Sequence, residues 1–433
     1  MLSRRDALRS SLFGAGYVGL RAIATGLPAA FLLNPRKALA SPMCQAQKPQ
    51  FVVMSTSYLG DPLNANVPGT YLDPAIVHSP DPTMVPTNLT LAGKSYQAAA
   101  PWASLPQNVL DRTCFWHLMT NTPIHPKEPE VMKLMNSTYA GEMLPSILAQ
   151  QLAPCLGTIQ SQPIDLGALS PSEALTYGGQ ALPIIPALAL KATLTSATGP
   201  LTTLQPLRDQ TMNDLYSLYK TGATKAQQAY IDSLVTSQTQ VRSIQQNLLA
   251  QLDSIKDNSP ASQILAAVSL IQMKVTPVIV IHIPFGGDNH SDAGFATEAK
   301  ETVAGVGTIA SLMSQLASAG LQDQVTFMSL NVFGRTIGPS NTKGRQHNPN
   351  HQVSVTIGKP IHGGVIGGVA PVGTDYGALP VVSATGEGSA NGDVPAANTL
   401  ACFGQTMLAA VGVPQTVISS QITAGQVITP ALA

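Results

Sequence analysis

Charged side chains are scarce in this sequence of 433 residues, making up 11% of it against 44% for apolar residues. Such a composition supplies ample material for a packed core and excludes a largely disordered chain. Lysine and arginine balance aspartate and glutamate at 23 each, and no run of basic residues follows position 40. We therefore expect no nucleic-acid partner, because binding to phosphates needs clustered positive charge.

Long apolar runs are also missing, since no stretch reaches the ~18 consecutive apolar residues of a transmembrane helix. Residues 1–40 begin with the arginine pair of "SRRDALR", continue with a weakly apolar stretch that Arg21 interrupts, and end in "ALA" at 38–40. This pattern is typical of a twin-arginine export signal with a cleavage site. The alternative is a retained membrane helix, but a central arginine costs about 3 kcal/mol on insertion scales. We expect a periplasmic or secreted protein without a stable membrane span once the signal is removed.

Cysteine is limited to four residues, whose spacing fits no zinc motif. An oxidising compartment permits one or two disulfides among them, and three pairings remain open. The four are Cys44, Cys114, Cys155 and Cys402.

Strand and helix patterns alternate in the C-terminal half of the chain. An apolar run predicts a strand over Val275–Ile283, and an amphipathic helix follows over about Phe295–Ala319. Further strands are predicted over Gln324–Val332 and Val353–Gly358. Strand, loop, helix and strand at this spacing form a βαβ unit, which indicates a parallel sheet covered by helices.

The N-terminal half gives a weaker pattern, which we interpret as part of the same single domain over 41–433. The stretch 157–206 is rich in Pro, Gly, Ser and Thr, and 157–260 forms a loop-rich and helical insertion in this interpretation. The remaining elements predicted are strands over Gln50–Ser55 and Thr113–Met119, and helices over about Val131–Leu152, Lys225–Lys256 and Ala261–Met273.

Carboxylates and histidines fall where predicted strands end. Asp288 and His290 lie two residues apart in "GGDNHSD", His347 and His351 lie four apart in "GRQHNPNHQ", and Asp61 follows the first strand. Ligands of parallel α/β sheets bind at the carboxyl ends of the strands. Mixed imidazole and carboxylate ligands suit zinc or another divalent transition metal. These five residues are the predicted metal ligands, and ordinary solvated loop residues are the alternative.

The motifs "SRRDALRSS", "GGDNHSD", "FGRT" and "GRQHNPNHQVSVTIGKPIHGG" together resemble the exported bacterial family known as domain of unknown function 1501, of the alkaline-phosphatase-like (sulfatase) superfamily. The resemblance implies a doubly wound, mostly parallel α/β sheet with helices on both faces. It also implies a metal cluster that holds a phosphate or sulfate ester, polarises its oxygens and aligns a nucleophile. Asp288 and His290 match the family's Asp-x-His, His347 matches the histidine of its Asp-His pair, and Asp61 matches its Asp after the first strand.

Among the departures from the family pattern, two acidic positions are neutral here. Val332 replaces a glutamate before "FGRT", and Gln346 replaces the aspartate before His347. Fewer carboxylates leave less negative charge to offset two divalent cations, which argues against a complete two-metal site.

Three interpretations stay open. The first is a hydrolase of small anionic esters with one divalent metal, zinc among the candidates, in which Thr122 or Thr120 supplies or positions the nucleophile. Arg335 clamps the anion in this interpretation, or else ties its loop to backbone carbonyls, and Lys343 and Arg345 have the same two alternatives. The second is a non-catalytic relative that acts in binding or assembly and needs no metal. The third is a polar loop without a site, and the sequence determines neither substrate, metal nor oligomeric state.

Overall fold

The computed structural model describes residues 44–167, 175–195, 205–225, 228, 231–232, 251–338 and 341–433. The predicted export signal over 1–40 and most of the helix predicted over Lys225–Lys256 lie outside these residues. In the part of the chain that is described, none of the helices combines the length and apolar character needed to cross a bilayer.

A central seven-stranded sheet organises the molecule, in the order β7-β2-β6-β5-β1-β4-β3. Its strands are β1 (Phe51–Ser57), β2 (Thr113–Leu118), β3 (Ile164–Asp165), β4 (Val278–Ile281), β5 (Val325–Asn331), β6 (Gln352–Ile357) and β7 (Gly364–Ile366). The pairs β1–β4, β1–β5, β3–β4 and β2–β7 are parallel. The mostly parallel sheet that the βαβ pattern predicts is therefore present.

Strand β6 is the exception, because it runs antiparallel to both β5 and β2. A parallel strand needs a crossover connection, usually helical, to return the chain to the starting edge of the sheet. The described residues between β5 and β6 contain only loops and short strands. The chain therefore enters β6 at the edge where β5 ends, and this places His347 and His351 near that edge.

Helices cover both faces of the sheet. They are α1 (Leu144–Leu156), α2 (Ala187–Thr195), α3 (Gln205–Thr221), α4 (Pro260–Gln272), α5 (Ala296–Ser318), α6 (Thr399–Ala410) and α7 (Gln415–Gln421), with shorter helices over Gln107–Leu110 and Glu128–Met132. Side chains alternate along β1: Phe51 and Val53 join a core with α4 and α5, whereas Val52 and Met54 join a core with α1, α6 and α7. Burial on both faces explains why the strands are continuous apolar runs.

Short two-stranded ribbons and 3-10 turns lie outside the central sheet and its two helical layers. Two-stranded ribbons pair Pro86–Leu91 with Lys94–Ala99, Thr176–Tyr177 with Gln180–Ala181, Gly334–Arg335 with His347–Asn348, and Val369–Val372 with Asp375–Ala378. Single 3-10 turns cover Pro62–Ala65, Pro82–Met84, Ala100–Ser104, His125–Lys127, Tyr139–Gly141, Ala293–Phe295, Ala396–Asn398 and Thr429–Ala431.

The helix predicted over Val131–Leu152 is wrong as a single element. The chain forms Glu128–Met132, leaves the helix through left-handed residues at 134–136, and begins α1 at Leu144. Pro145 occupies the first turn of α1. Proline starts a helix readily but breaks one from the inside, so the apolar spacing continues across a boundary that proline imposes.

One disulfide joins Cys44 to Cys155 and so ties the start of the described chain to the end of α1. Cys114 and Cys402 are buried as free thiols. The four cysteines can pair in three ways, and the structure contains one of the two disulfides that belong to one of these ways.

Candidate metal centre

The "GGDNHSD" loop is fixed by two carboxylates from other parts of the chain. Asp61 Oδ1 accepts hydrogen bonds from the backbone N–H groups of Phe285 (3.0 Å) and Gly287 (2.7 Å), and Glu301 Oε2 accepts the N–H of Gly286 (2.8 Å). Both glycines have positive φ, 123° and 55°, which side chains rarely tolerate. Asp61, predicted as a metal ligand, is instead buried beneath this turn, and its Oδ2 has no hydrogen-bond partner in the described structure.

Four side chains converge where the turn opens. Ligand atoms of His125, Asp288 and His347 all lie within 4.8 Å of one another. His290 Nε2 lies 3.1 Å from Asp288 Oδ1 and 2.8 Å from His347 Nε2. Asp288 Oδ2 lies 3.6 Å from His125 Nε2. The structure thus brings together three of the five predicted ligands and adds His125.

Each of the three histidines places its Nδ1 within hydrogen-bond distance of a neutral oxygen, so Nδ1 carries a proton and Nε2 is the nitrogen that faces the cluster. The acceptors are Tyr58 O for His125 (2.9 Å), Pro123 O for His347 (2.6 Å) and Gln346 Oε1 for His290 (2.9 Å). Metal-binding histidines are typically oriented in this way. His290 Nε2 and His347 Nε2 lie 2.8 Å apart, a distance that either a proton shared between the two rings or a cation held by both accounts for. The donor set therefore fits a divalent transition metal.

Arg335 holds the carboxylate of the cluster. Its buried guanidinium donates through Nε to Gly60 O and through one terminal nitrogen to Leu59 O and to Asp288 Oδ1 (2.7 Å). The other terminal nitrogen lies 3.4 Å from His290 Nε2. Partial burial raises the pKa of Asp288, but the hydrogen bond and charge of Arg335, together with His290 and His125, lower that pKa overall. Arg335 thus ties its loop to backbone carbonyls, as one alternative predicted, and also fixes a ligand.

A buried ion pair joins the two loops that carry His290 and His347. Arg345 and Glu298 are both fully buried and meet in two bonds, Nε to Oε2 at 2.6 Å and a terminal nitrogen to Oε1 at 3.0 Å. Glu298 also accepts the side-chain amides of Asn66 (2.8 Å) and Asn289 (3.2 Å). Arg345 is therefore not placed to clamp an anion at the cluster. Its ion pair with Glu298 instead holds the two loops in position.

His351 lies outside the cluster, contrary to its predicted place among the ligands. Its Nε2 lies 2.8 Å from His117 Nδ1, and its Nδ1 lies 3.1 Å from the Asn64 amide nitrogen. Burial lowers the pKa of His351 well below its usual value and lowers that of His117 to about 4. Residues four apart share a face in a continuous helix or strand, whereas here a turn separates the strand of His347 from the strand that begins at Gln352.

The two predicted nucleophile positions are buried in the loop after β2. Thr122 Oγ1 accepts the N–H of Ile124 at 3.3 Å, and Thr120 Oγ1 has no hydrogen-bond partner among the described residues. Val332, at the acidic position of the family pattern, is packed in the core below the site. His125 follows the same strand end as the threonines, and this position was the signal that could have identified it as a ligand.

Comparison with known proteins gives distant likenesses. The crystal structure of Ps i-CgsB in complex with k-i-k-neocarrahexaose matches with 11% identity and a TM-score of 0.34, over 88% of this chain and 75% of that one. The structure of BT4656 in complex with its substrate D-glucosamine-2-N,6-O-disulfate matches with 10% identity and a TM-score of 0.31, over 89% and 80%. Similarity at this level establishes no function for this chain.

The curated proteins offer no match. Residues 189–383 match the profile of a family described as a protein of unknown function, DUF1501. The match spans Asp288, His290, Arg335 and His347, while His125 precedes it. The finer assignment to an alkaline-phosphatase-like fold stays a prediction. Over the stretch that carries most of the cluster, the chain is similar to the family DUF1501, as its motifs predicted.

Proposed function

We propose that this protein holds one divalent transition-metal ion, zinc first among the candidates, at the cluster of His125, Asp288, His290 and His347 and hydrolyses small anionic esters there. The observation that carries the proposal is the set of three Nδ1–H bonds, which turn three Nε2 atoms toward one carboxylate. A bound divalent cation supplies Lewis-acid polarisation of an ester oxygen.

The charge of the cluster favours an anionic ligand. The charges of Asp288 and Arg335 cancel, and a histidine that binds a metal does so as a neutral imidazole. A divalent cation therefore adds a net charge of about +2 to the site. The terminal nitrogen of Arg335 that faces His290 makes the longest of the guanidinium contacts, 3.4 Å, so it is the nitrogen best placed to turn to an anion.

The surrounding residues favour one ion over two. Asp61 is engaged by the turn at 285–287, and His351 is engaged by its buried partners. Val332 and Gln346 offer no carboxylate where the family pattern has one. A second ion would lack the anionic ligands that offset its charge.

Solvent water is the favoured nucleophile. The side chains of Asp288 and His290 are 42% and 38% exposed, so water reaches the cluster directly. The Thr122 hydroxyl is bonded within its own loop, and it is the protein group that remains as the other candidate.

A non-catalytic binding or assembly protein is the second candidate function. Val332 and Gln346 favour this candidate, because they stand where the family pattern has acidic residues. A site with fewer metal ligands is expected of a relative that has lost catalysis. Export by the twin-arginine pathway is also part of the proposal. The Cys44–Cys155 disulfide supports an oxidising compartment such as the periplasm.

Hydrolysis of chromogenic aryl phosphates and aryl sulfates by zinc-reconstituted protein tests the catalytic proposal. We expect turnover that a chelator removes, that His347→Ala abolishes, and that Thr122→Ala leaves in place. His362→Ala is the matched control, because His362 is exposed and follows the opposite end of β6. Bound zinc without turnover of either ester class would instead support the non-catalytic candidate.

A further inference from the structure

The three acceptors that orient the cluster histidines differ in kind. Tyr58 and Pro123 contribute backbone carbonyls, whose positions the fold determines. His290 instead donates to the side-chain amide oxygen of Gln346 at 2.9 Å. Gln346 is therefore the one orienting group among the three that a side-chain substitution can change.

The backbone of Gln346 is fixed independently of its side chain. Its N–H donates to Thr336 Oγ1 at 2.9 Å, and its carbonyl accepts the Thr336 N–H at 2.9 Å. The preceding Arg345 is locked in its buried ion pair with Glu298. The Gln346 side chain itself is exposed. Substitution at this position should leave the loop in place and alter only the group that faces His290.

The charge of the acceptor decides how strongly an imidazole donates to a metal. A carboxylate acceptor raises the basicity of the ligating histidine, and removing such a partner commonly costs about 10–100-fold in metal affinity. All three acceptors in this cluster are uncharged. The histidines are therefore weaker metal donors than those of a carboxylate–histidine–metal arrangement.

We propose that Gln346 is a positioning residue that orients His290 toward the ion, and that its neutral amide limits the affinity of the site for that ion. The inference rests on the proposed metal site and adds a determinant of its affinity. It assigns position 346 a role beside the metal, whereas the family pattern has an acidic residue there.

Zinc dissociation constants, measured by competition with a chromophoric chelator, test this role. Gln346→Glu keeps the shape of the side chain and adds the charge, and we expect it to bind zinc ~10-fold more tightly or better. Gln346→Met removes the acceptor, and we expect binding ~10-fold weaker or worse. Gln415→Glu is the matched control, because it adds the same charge at an exposed glutamine on α7 and should leave the affinity unchanged.

The opposite directions of the two changes separate positioning from a merely structural effect, which would weaken binding in both variants. Thermal unfolding of the metal-free variants should match that of the wild type. A Gln346→Glu variant that binds zinc no more tightly than the wild type overturns the inference while the metal site stands. A wild type that binds no zinc overturns the metal site and the inference together.

Discussion

Breaking the buried ion pair between Arg345 and Glu298 should destabilise the fold and separate the side chains of the candidate metal centre. Glu298 is fully buried and receives two bonds from Arg345 and one from each of two asparagine amides. Arg345→Met leaves this carboxylate without a countercharge. Because α5 begins beside the loop of Asp288 and His290, while Arg345 lies two residues before His347, the pair holds both ligand loops together.

The expected magnitude follows from the charge left behind. Removing one partner of a buried ion pair costs about 3–5 kcal/mol, because the remaining charge is desolvated and unpaired. Arg345 also donates to Thr336 O (2.9 Å) and Val77 O (2.8 Å), and those carbonyls lose their partner in the methionine variant. Glu298→Gln should cost a similar amount, since it leaves a buried guanidinium without its counterion. The double variant should cost clearly less than the sum of the two single changes.

Urea unfolding followed by tryptophan fluorescence measures these free energies, because Trp102 and Trp116 are both buried in the cores. Zinc affinity measured on the same samples reports whether the ligand loops have separated. If each single variant lowers the free energy of unfolding by less than about 1 kcal/mol, the ion pair does not hold the loops in position. Additivity in the double variant would refute that role as well, because the two residues would then not act as a pair.

Three further predictions concern other parts of the fold. Gly60→Ala should destabilise more than Gly93→Ala in urea unfolding: both have positive φ, but a Cβ at Gly60 would lie 2.2 Å from an aromatic ring, whereas nothing lies within 4 Å of one at Gly93. Replacing Cys44 and Cys155 by serine should cost up to about 5 kcal/mol in the chain-entropy account, and a reductant should then have no further effect on unfolding. His117 binds protons less readily in the fold (pKa about 4) than in the unfolded chain (6.5), so its contribution to stability should fall by up to about 3 kcal/mol as the pH drops from 6.5 to 4. His117→Gln should remove this one contribution and so reduce the pH dependence of unfolding curves at pH 7 and pH 5, and an unchanged dependence would contradict the assigned cause.

The apolar runs of the sequence predicted strands, and ligands of parallel sheets bind at the carboxyl ends of strands. Together these predicted that Asp288, His290 and His347 lie at one edge of the sheet. Runs buried on both faces identify strands without knowledge of their partners, and parallel strands end at one edge of the sheet. The direction in which a loop side chain points depends instead on contacts from distant segments. Asp61 illustrates this, because only the folded chain shows that the turn at 285–287 takes up one of its oxygens.

The same limit explains the errors at the histidines. His351 shares a short motif with His347, but a turn between two strands directs it to a buried partner. His125 lies in the sequence beside the expected nucleophile, and its place in the cluster is visible only in the folded chain, where its Nδ1 lies 2.9 Å from Tyr58 O. The spacing of residues likewise could not predict the contact of Gln346 with His290, which is the basis of the role proposed for it.

The metal content of the mature protein tests the central claim most directly. Elemental mass spectrometry of protein folded in cells should find about one zinc or other transition-metal ion per chain in the wild type and in His362→Ala. The Asp288→Ala/His290→Ala double variant should contain none, although it should still fold, because the turn at 285–287 is held by Asp61 and Glu301. A wild type without bound metal, or a double variant that retains it, would contradict the account.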